Sequence, residues 1–210
     1  MIEITSITDT KKHVQGLKAI VFDLDDTLYG EKEYVRSGYR AIAELLPRVD
    51  QMESKLWQAF EQKKSAIDEV LTAEEIYTEE LKQKCLATYR FHLPDIHLYE
   101  GAKELLLQFR ADGYKLGIIT DGRPEGQRAK IKVLGLDELV DYIIVTDELG
   151  GPEYRKPNKA AFVKMRDALG VDFDQMCYIG DNIKKDFIAP EILGIRAIHF
   201  VNVDGLYTSK

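Results

Sequence analysis

The sequence predicts an α/β protein, a parallel sheet covered by helices on both sides, with an all-helical segment inserted after the first strand. Three observations predict it. Short apolar runs recur without polar alternation, as strands buried on both faces do. From residue 100 onward amphipathic stretches of helical length separate these runs, the alternation that marks a parallel sheet. Over residues 31–98 the alternation breaks, and helical periodicity continues without a strand-like run.

Residues 1–16 are polar, end in Gly16, and read as an arm packed loosely on the rest of the chain. The run from Lys18 to Asp23 predicts the first strand. In the insertion, Val35, Tyr39, Ile42 and Leu46 mark one helix stopped by Pro47, and Met52, Leu56 and Phe60 mark a second. Thr72 and Glu75 read as a capping box opening a third helix that carries Tyr77, Leu81 and Cys85. Ala102, Leu105, Leu106 and Phe109 share one face of the next helix, which Gly113 closes. Further strands are predicted over Tyr114–Thr120, Asp141–Val145, Met176–Gly180 and Ile195–Phe200. Helices over Glu125–Leu134 and Lys159–Leu169 end at Gly135 and Gly170. The organisation is a core of residues 1–30 and 99–210 around a helical insertion of 31–98.

Composition narrows the function. A chain of 210 residues with 45% hydrophobic residues supports a core without disulfides or metal. A net charge of −7 argues against a nucleic-acid partner, because phosphate neutralisation needs clustered Lys and Arg. Cys85 and Cys177 lie far apart without neighbours at ligand spacing, so they read as reduced, buried thiols in a cytoplasmic protein. The N-terminus lacks an apolar targeting core and no run reaches membrane-spanning length, so no membrane association is expected. The aromatics of the insertion, Trp57 among them, read as core, and the four histidines show no metal-ligand spacing.

Ligands of open parallel sheets bind beyond the carboxyl ends of the strands. The residues just past each predicted strand are therefore informative: Asp23-Leu24-Asp25-Asp26-Thr27, then Thr120-Asp121-Gly122-Arg123, then the loop to Arg155-Lys156, then Gly180-Asp181 running to Asp186. Each fragment alone has a bland explanation as a cap or turn; four at successive strand ends do not. The chemistry that uses such a set is phosphoryl transfer through a covalent carboxylate intermediate. Asp23, Asp181 and the backbone carbonyl of Asp25 offer hard oxygens suited to Mg²⁺. Asp25 can protonate the leaving oxygen and then deprotonate the attacking water. Thr120 and the amides after it, Asp121 first, can hold phosphate oxygens at a helix start. Lys156 supplies fixed positive charge.

Asp23-x-Asp25-x-Thr27, Thr120, Lys156 and Gly180-Asp181 with Asp186 resemble the four motifs of the haloacid dehalogenase superfamily, in order and across residues 18–200. The resemblance implies a Rossmann-like core with a helical cap inserted after the first motif. It also implies a nucleophile at Asp23, an acid/base at Asp25, Mg²⁺ ligands at Asp23, Asp25 and Asp181, phosphate contacts at Thr120 and Lys156, and a supporting role for Asp186. The implied activity is hydrolysis of a small soluble phosphate ester of nucleotide or sugar phosphate type. Asp25 speaks against the dehalogenases of the superfamily, since a halide leaves without a proton. A phosphomutase uses the same pair of carboxylates and remains an alternative, as does a partner-dependent or regulatory protein that keeps the fold. The cap is expected to close over the site and choose the substrate, with Tyr34, Arg36 and Arg40 as candidate contacts and Arg123 as a further one beside the phosphate turn. Nothing in the sequence specifies the physiological substrate, a protein partner or an oligomeric state.

Overall fold

The computed structural model describes residues 1–206. The chain divides into two compact units, one of Met1–Glu31 with Ile96–Lys210 and one of Lys32–Asp95.

The larger unit is a six-stranded parallel sheet: β1 (Ile2–Ile4), β2 (Ala19–Phe22), β3 (Lys115–Thr120), β4 (Tyr142–Val145), β5 (Met176–Gly180) and β6 (Arg196–Phe200), in spatial order β1-β6-β5-β2-β3-β4. β2 and β5 are buried along their whole length, which is why they read as continuous apolar runs. Ala19, Val21, Ile119, Met176 and Tyr178 point to one face and pack on Ala161, Phe162 and Met165. Those three belong to the helix Ala160–Leu169. Gly117 lies on the same face, and an added Cβ there would sit 2.5 Å from the Met165 sulfur, so the helix approaches the strand at its glycine. Ile20, Phe22, Leu116 and Ile118 alternate to the other face and are fully buried, and the helix Ala102–Ala111 also lies against β3.

The amino-terminal segment corrects the expectation of a loose arm. Ile2–Ile4 pairs with β6 as an edge strand, with Ile4 opposite Phe200. A 3₁₀ turn over Ile7–Lys12 comes next, and Ile4, Ile7 and Val14 are buried. Their apolar side chains, spaced through polar residues, supply this unit with a sixth strand and a covered edge.

The smaller unit consists of four helices, α1 (Glu31–Leu45, whose first residue belongs to the larger unit), α2 (Met52–Glu61), α3 (Ala66–Ala73) and α4 (Glu79–Phe91). Val35, Tyr39, Ile42, Met52, Leu56, Val70, Leu71 and Cys85 form its core. Gly38 in α1 faces the Tyr89 ring so closely that a Cβ would lie 2.4 Å from it. The expected third helix is two helices. Thr72 sits in the last turn of α3, which ends where Glu75 adopts a left-handed conformation at φ 57°. Thr78, extended at φ −138°, is the true cap of α4 and accepts a hydrogen bond from the Leu81 amide at 3.0 Å. Among the described residues no helix is long and apolar enough to cross a membrane.

Phe162 is fully buried and meets Tyr178 edge-on at 5.0 Å between ring centroids. We expect Phe162→Ala to lower the unfolding free energy of the sheet unit by about 3–5 kcal/mol, measured by urea denaturation. A loss under about 1 kcal/mol would show that this helix does not hold the sheet together.

Candidate active site

The chain runs outward from β2 to β3 and β4, then returns to β5 on the other side of β2, so the strand order reverses at the β2–β5 pair. Their carboxyl ends open the crevice where ligands of such sheets bind. The Asp23 amide donates to the Ile179 carbonyl at 2.8 Å, fixing the first residue past β2 against the end of β5. Asp26 then turns the loop back with a left-handed φ of 55°, a conformation that Asp tolerates. Its carboxylate accepts the Glu31 amide at 2.9 Å and the Leu206 amide at 2.7 Å, and its carbonyl accepts the Asn202 side chain at 2.9 Å. The loop carrying Asp23 and Asp25 is thus rigidly held.

Lys156 reaches in from the loop after β4 with its ammonium fully buried. It pairs with Asp23 at 2.7 Å and Asp186 at 2.8 Å, and donates to the Tyr178 hydroxyl at 2.8 Å. Burial disfavours its charge, but Asp186 and then Asp23 outweigh burial and hold its pKa well above the ordinary lysine value. Asp186 is fixed in turn by the Asn182 amide at 2.9 Å. Gly180 permits this: a Cβ there would lie 2.6 Å from an Asp186 carboxylate oxygen.

Asp23, Asp181 and Asp186 bring carboxylate oxygens within 4.8 Å of one another. Two of the three are committed to Lys156, whereas the Asp181 carboxylate has no hydrogen-bond or ion-pair partner among the described residues. Burial, then the charges of Asp23 and Asp186, push the Asp181 pKa up to about 8. Burial raises Asp23 to about 7 in spite of Lys156. Glu31 is raised to about 8 by burial and by Asp25, and its Oε2 is buried without a hydrogen bond.

Asp25 has the opposite environment. Burial would raise its pKa, but Lys130 at 2.7 Å, the Tyr29 hydroxyl and the Gln127 amide at 2.8 Å hold it below the usual carboxylate range. Asp121 is likewise held low against burial, by Lys156 and Lys185; its carboxylate accepts the Lys156 amide, the Lys185 ammonium and the Thr146 hydroxyl, each at 3.0 Å.

These groups surround a cavity of about 320 Å³ lined by Asp23, Asp25, Glu31, Asp121, Arg155, Lys156, Asp181, Asn182 and Lys185. Of the residues named from sequence, Asp23, Asp25, Asp121, Lys156 and Asp181 are brought together there, with Asp186 directly behind Lys156. Thr120 is wholly buried and does not line the cavity in this arrangement, because the Gln127 amide lies over its hydroxyl at 2.5 Å. Arg123 is exposed at the start of the helix Pro124–Val133 and is not part of the lining. Within the helical unit, Tyr34 packs against Tyr89 and His92, Arg36 stacks on Trp57 at 4.1 Å, and Arg40 pairs with Asp95 at 2.8 Å. The sequence pattern assigns no role to Gln127, Lys130, Lys185 or Tyr178, and it marks Tyr29 and Glu31 only as part of the segment Tyr29–Arg40 expected to face the pocket. Gln127 and Lys130 carried a signal, as polar residues one turn apart beside the buried Ile131 of a helix that starts at the site.

A family model described as haloacid dehalogenase-like hydrolase matches residues 20–200. A glyceraldehyde 3-phosphate phosphatase of Methanopyrus kandleri is 27% identical over 184 residues, spanning 81% of this chain and 78% of that protein. One of Pyrococcus abyssi is 34% identical over 100 residues, 48% of this chain and 41% of its own length. The solved structure of YfnB from Bacillus subtilis, bound to magnesium, superposes with a TM-score of 0.61 at 23% identity, covering 86% of this chain and 85% of that one.

The raised carboxylates set a pH dependence. Asp23, Asp181 and Glu31 titrate at about 7 to about 8 when folded, against about 4 when unfolded. Between those values the folded protein binds more protons than the unfolded chain, so stability falls as pH rises through the window. With EDTA present, we expect Tm to be lower at about pH 8 than at about pH 5.5. Asp181→Asn should raise Tm above wild type at the higher pH and lose that advantage at the lower. A wild-type Tm that is flat or rises across the window would contradict these carboxylate environments.

Proposed function

Since the chain belongs to the haloacid dehalogenase-like hydrolases, we propose that it is a Mg²⁺-dependent phosphomonoesterase, working on a small soluble phosphate ester through an aspartyl-phosphate at Asp23. The observation that carries this reading is the buried Lys156 bridging Asp23 and Asp186 beside the Asp181 carboxylate, which has no partner among the described residues.

The cavity's own charge fits a hard divalent cation. Its lining has five carboxylates, Asp23, Asp25, Glu31, Asp121 and Asp181, against three cations, Arg155, Lys156 and Lys185. With all five ionised, the lining repels an entering phosphate dianion unless a cation is bound. All the acidic donors are hard oxygens, the set that Mg²⁺ prefers. Asp23 and Asp181, with the Asp25 carbonyl, would hold the ion. When bound it supplies Lewis-acid charge that draws the phosphate to Asp23 and keeps the clustered carboxylates ionised.

The chain's residues then divide the work. Lys156 holds the Asp23 oxygen at 2.7 Å, which orients the nucleophile and places positive charge where the transferring group is most negative. Lys185, anchored on Asp121 at 3.0 Å, adds a second cation on the lining. Asp25, ionised at rest, takes up a proton as the substrate enters; Asp23 then attacks phosphorus as the bond to the leaving oxygen breaks, and Asp25 gives that oxygen the proton. Water next attacks phosphorus, its proton passes to Asp25, and Asp23 is released. Thr120 acts from beneath by fixing Gln127. A cavity of about 320 Å³ is at the small end for ligand sites, at about 300–1,000 Å³, and favours a compact ester.

Phosphate release from a panel of sugar phosphates, nucleotides, triose phosphates and an aryl phosphate tests this. We expect release with Mg²⁺, none with EDTA, and none from Asp23→Asn. Lys156→Ala should lower kcat by at least about 10²-fold. Release that persists in Asp23→Asn or in EDTA would overturn the reading.

A further inference from the structure

Among the described residues, Asp25 is the only carboxylate of the cavity gripped by three side-chain donors, and the positions of those donors decide how it can exchange a proton. Oδ1 accepts from both the Tyr29 hydroxyl and the Lys130 ammonium, the latter at 2.7 Å. Oδ2 accepts from the Gln127 side-chain amide at 2.8 Å. That amide nitrogen has two hydrogens, and its second goes to the Thr120 hydroxyl at 2.5 Å. Tyr29 is fully buried and Gln127 and Lys130 are each 4% exposed, whereas Asp25 lines the cavity.

An ionised carboxylate has about four lone-pair directions, two on each oxygen. Three of the four on Asp25 are taken, both on Oδ1 and one on Oδ2. We propose that Tyr29, Gln127 and Lys130 form a positioning cradle that leaves a single lone pair, on Oδ2, as the point of proton exchange with the substrate. This rests on the reading of Asp25 as the acid/base. The proton that Asp25 gives to the leaving oxygen departs from that position, and the proton of the attacking water returns to it. Tyr29 and Lys130 hold Oδ1 and Gln127 holds Oδ2 from the side away from its open lone pair, so all three act through Asp25. Gln127 and Lys130 come from the helix Pro124–Val133, so one rigid element sets both the acid/base and the Thr120 turn at which it begins. Without the cradle the carboxylate rotates freely and the productive geometry becomes one of several, which slows proton delivery without weakening phosphate binding.

Leaving-group dependence separates this role from a loss of packing. The ratio kcat/KM reports the steps up to departure of the leaving group, where an alkoxide needs a proton and para-nitrophenolate does not. The probes are glycerol phosphate and para-nitrophenyl phosphate, with Mg²⁺, on the full chain. For Lys130→Met and Gln127→Leu we expect kcat/KM on glycerol phosphate to fall by about 10–100-fold, and on para-nitrophenyl phosphate by less than about 3-fold. Tyr29→Phe, nearly isosteric, should show a smaller loss of the same kind, and KM should stay near wild type throughout. Asp25→Asn is the reference. If it discriminates between the probes and the cradle variants slow both alike, the cradle is merely structural and the proposal falls. If Asp25→Asn itself slows both alike, the acid/base reading fails first and takes the cradle with it.

Discussion

The buried ammonium of Lys156, shared between Asp23 at 2.7 Å and Asp186 at 2.8 Å, is the interaction on which the site depends. A charge taken wholly out of water is tolerated only when paired and hydrogen-bonded, and this one has two carboxylates and the Tyr178 hydroxyl. The partners come from two adjacent strands: Asp23 after β2, and Tyr178 on β5 with Asp186 in the loop after it, which Gly180 lets close. The triad therefore forms only when β2 and β5 are neighbours in register, with Phe22 opposite Ile179. Fold and site are specified by the same pairing.

Around that fixed centre the carboxylates sort by environment. Asp25 and Asp121 are surrounded by donors and stay ionised against burial, while Asp23, Asp181 and Glu31 are raised by burial. Of the raised group, Asp23 and Asp181 lie with Asp186 in one cluster of carboxylate oxygens within 4.8 Å of one another, and the Asp181 carboxylate has no partner among the described residues. Asp25 is kept in one orientation by buried neighbours. Carboxylates of one chemical type thus acquire different tasks from their surroundings.

Much of this was legible in the sequence because it is local. Asp23, Asp121 and Asp181 each stand one residue past a continuous apolar run, so strand ends could be read from hydrophobicity and the acids placed at them. The edge strand Ile2–Ile4 was not legible, since three residues among polar neighbours acquire their role only by pairing with β6 at the far end of the chain. Local pattern also misled at Thr72, where a cap-like Thr-x-x-Glu spacing competes with the left-handed Glu75 that ends α3. Gln127 and Lys130 share a helix face with Ile131, a pattern that marks them as inward-facing but names no partner. Only the approach of that helix to the β2 loop, more than a hundred residues earlier, brings them to Asp25.

The proposed chemistry requires that Asp23 become covalently phosphorylated during turnover. Rapid acid quenching of the enzyme during turnover with Mg²⁺, followed by borohydride reduction and peptide mass spectrometry, tests it most directly, because reduction converts an aspartyl-phosphate to homoserine. We expect homoserine at position 23, dependent on substrate and absent at Asp25, Asp121 and Asp181. An enzyme that turns over while position 23 remains aspartate, or one that carries the label at another carboxylate, would contradict it.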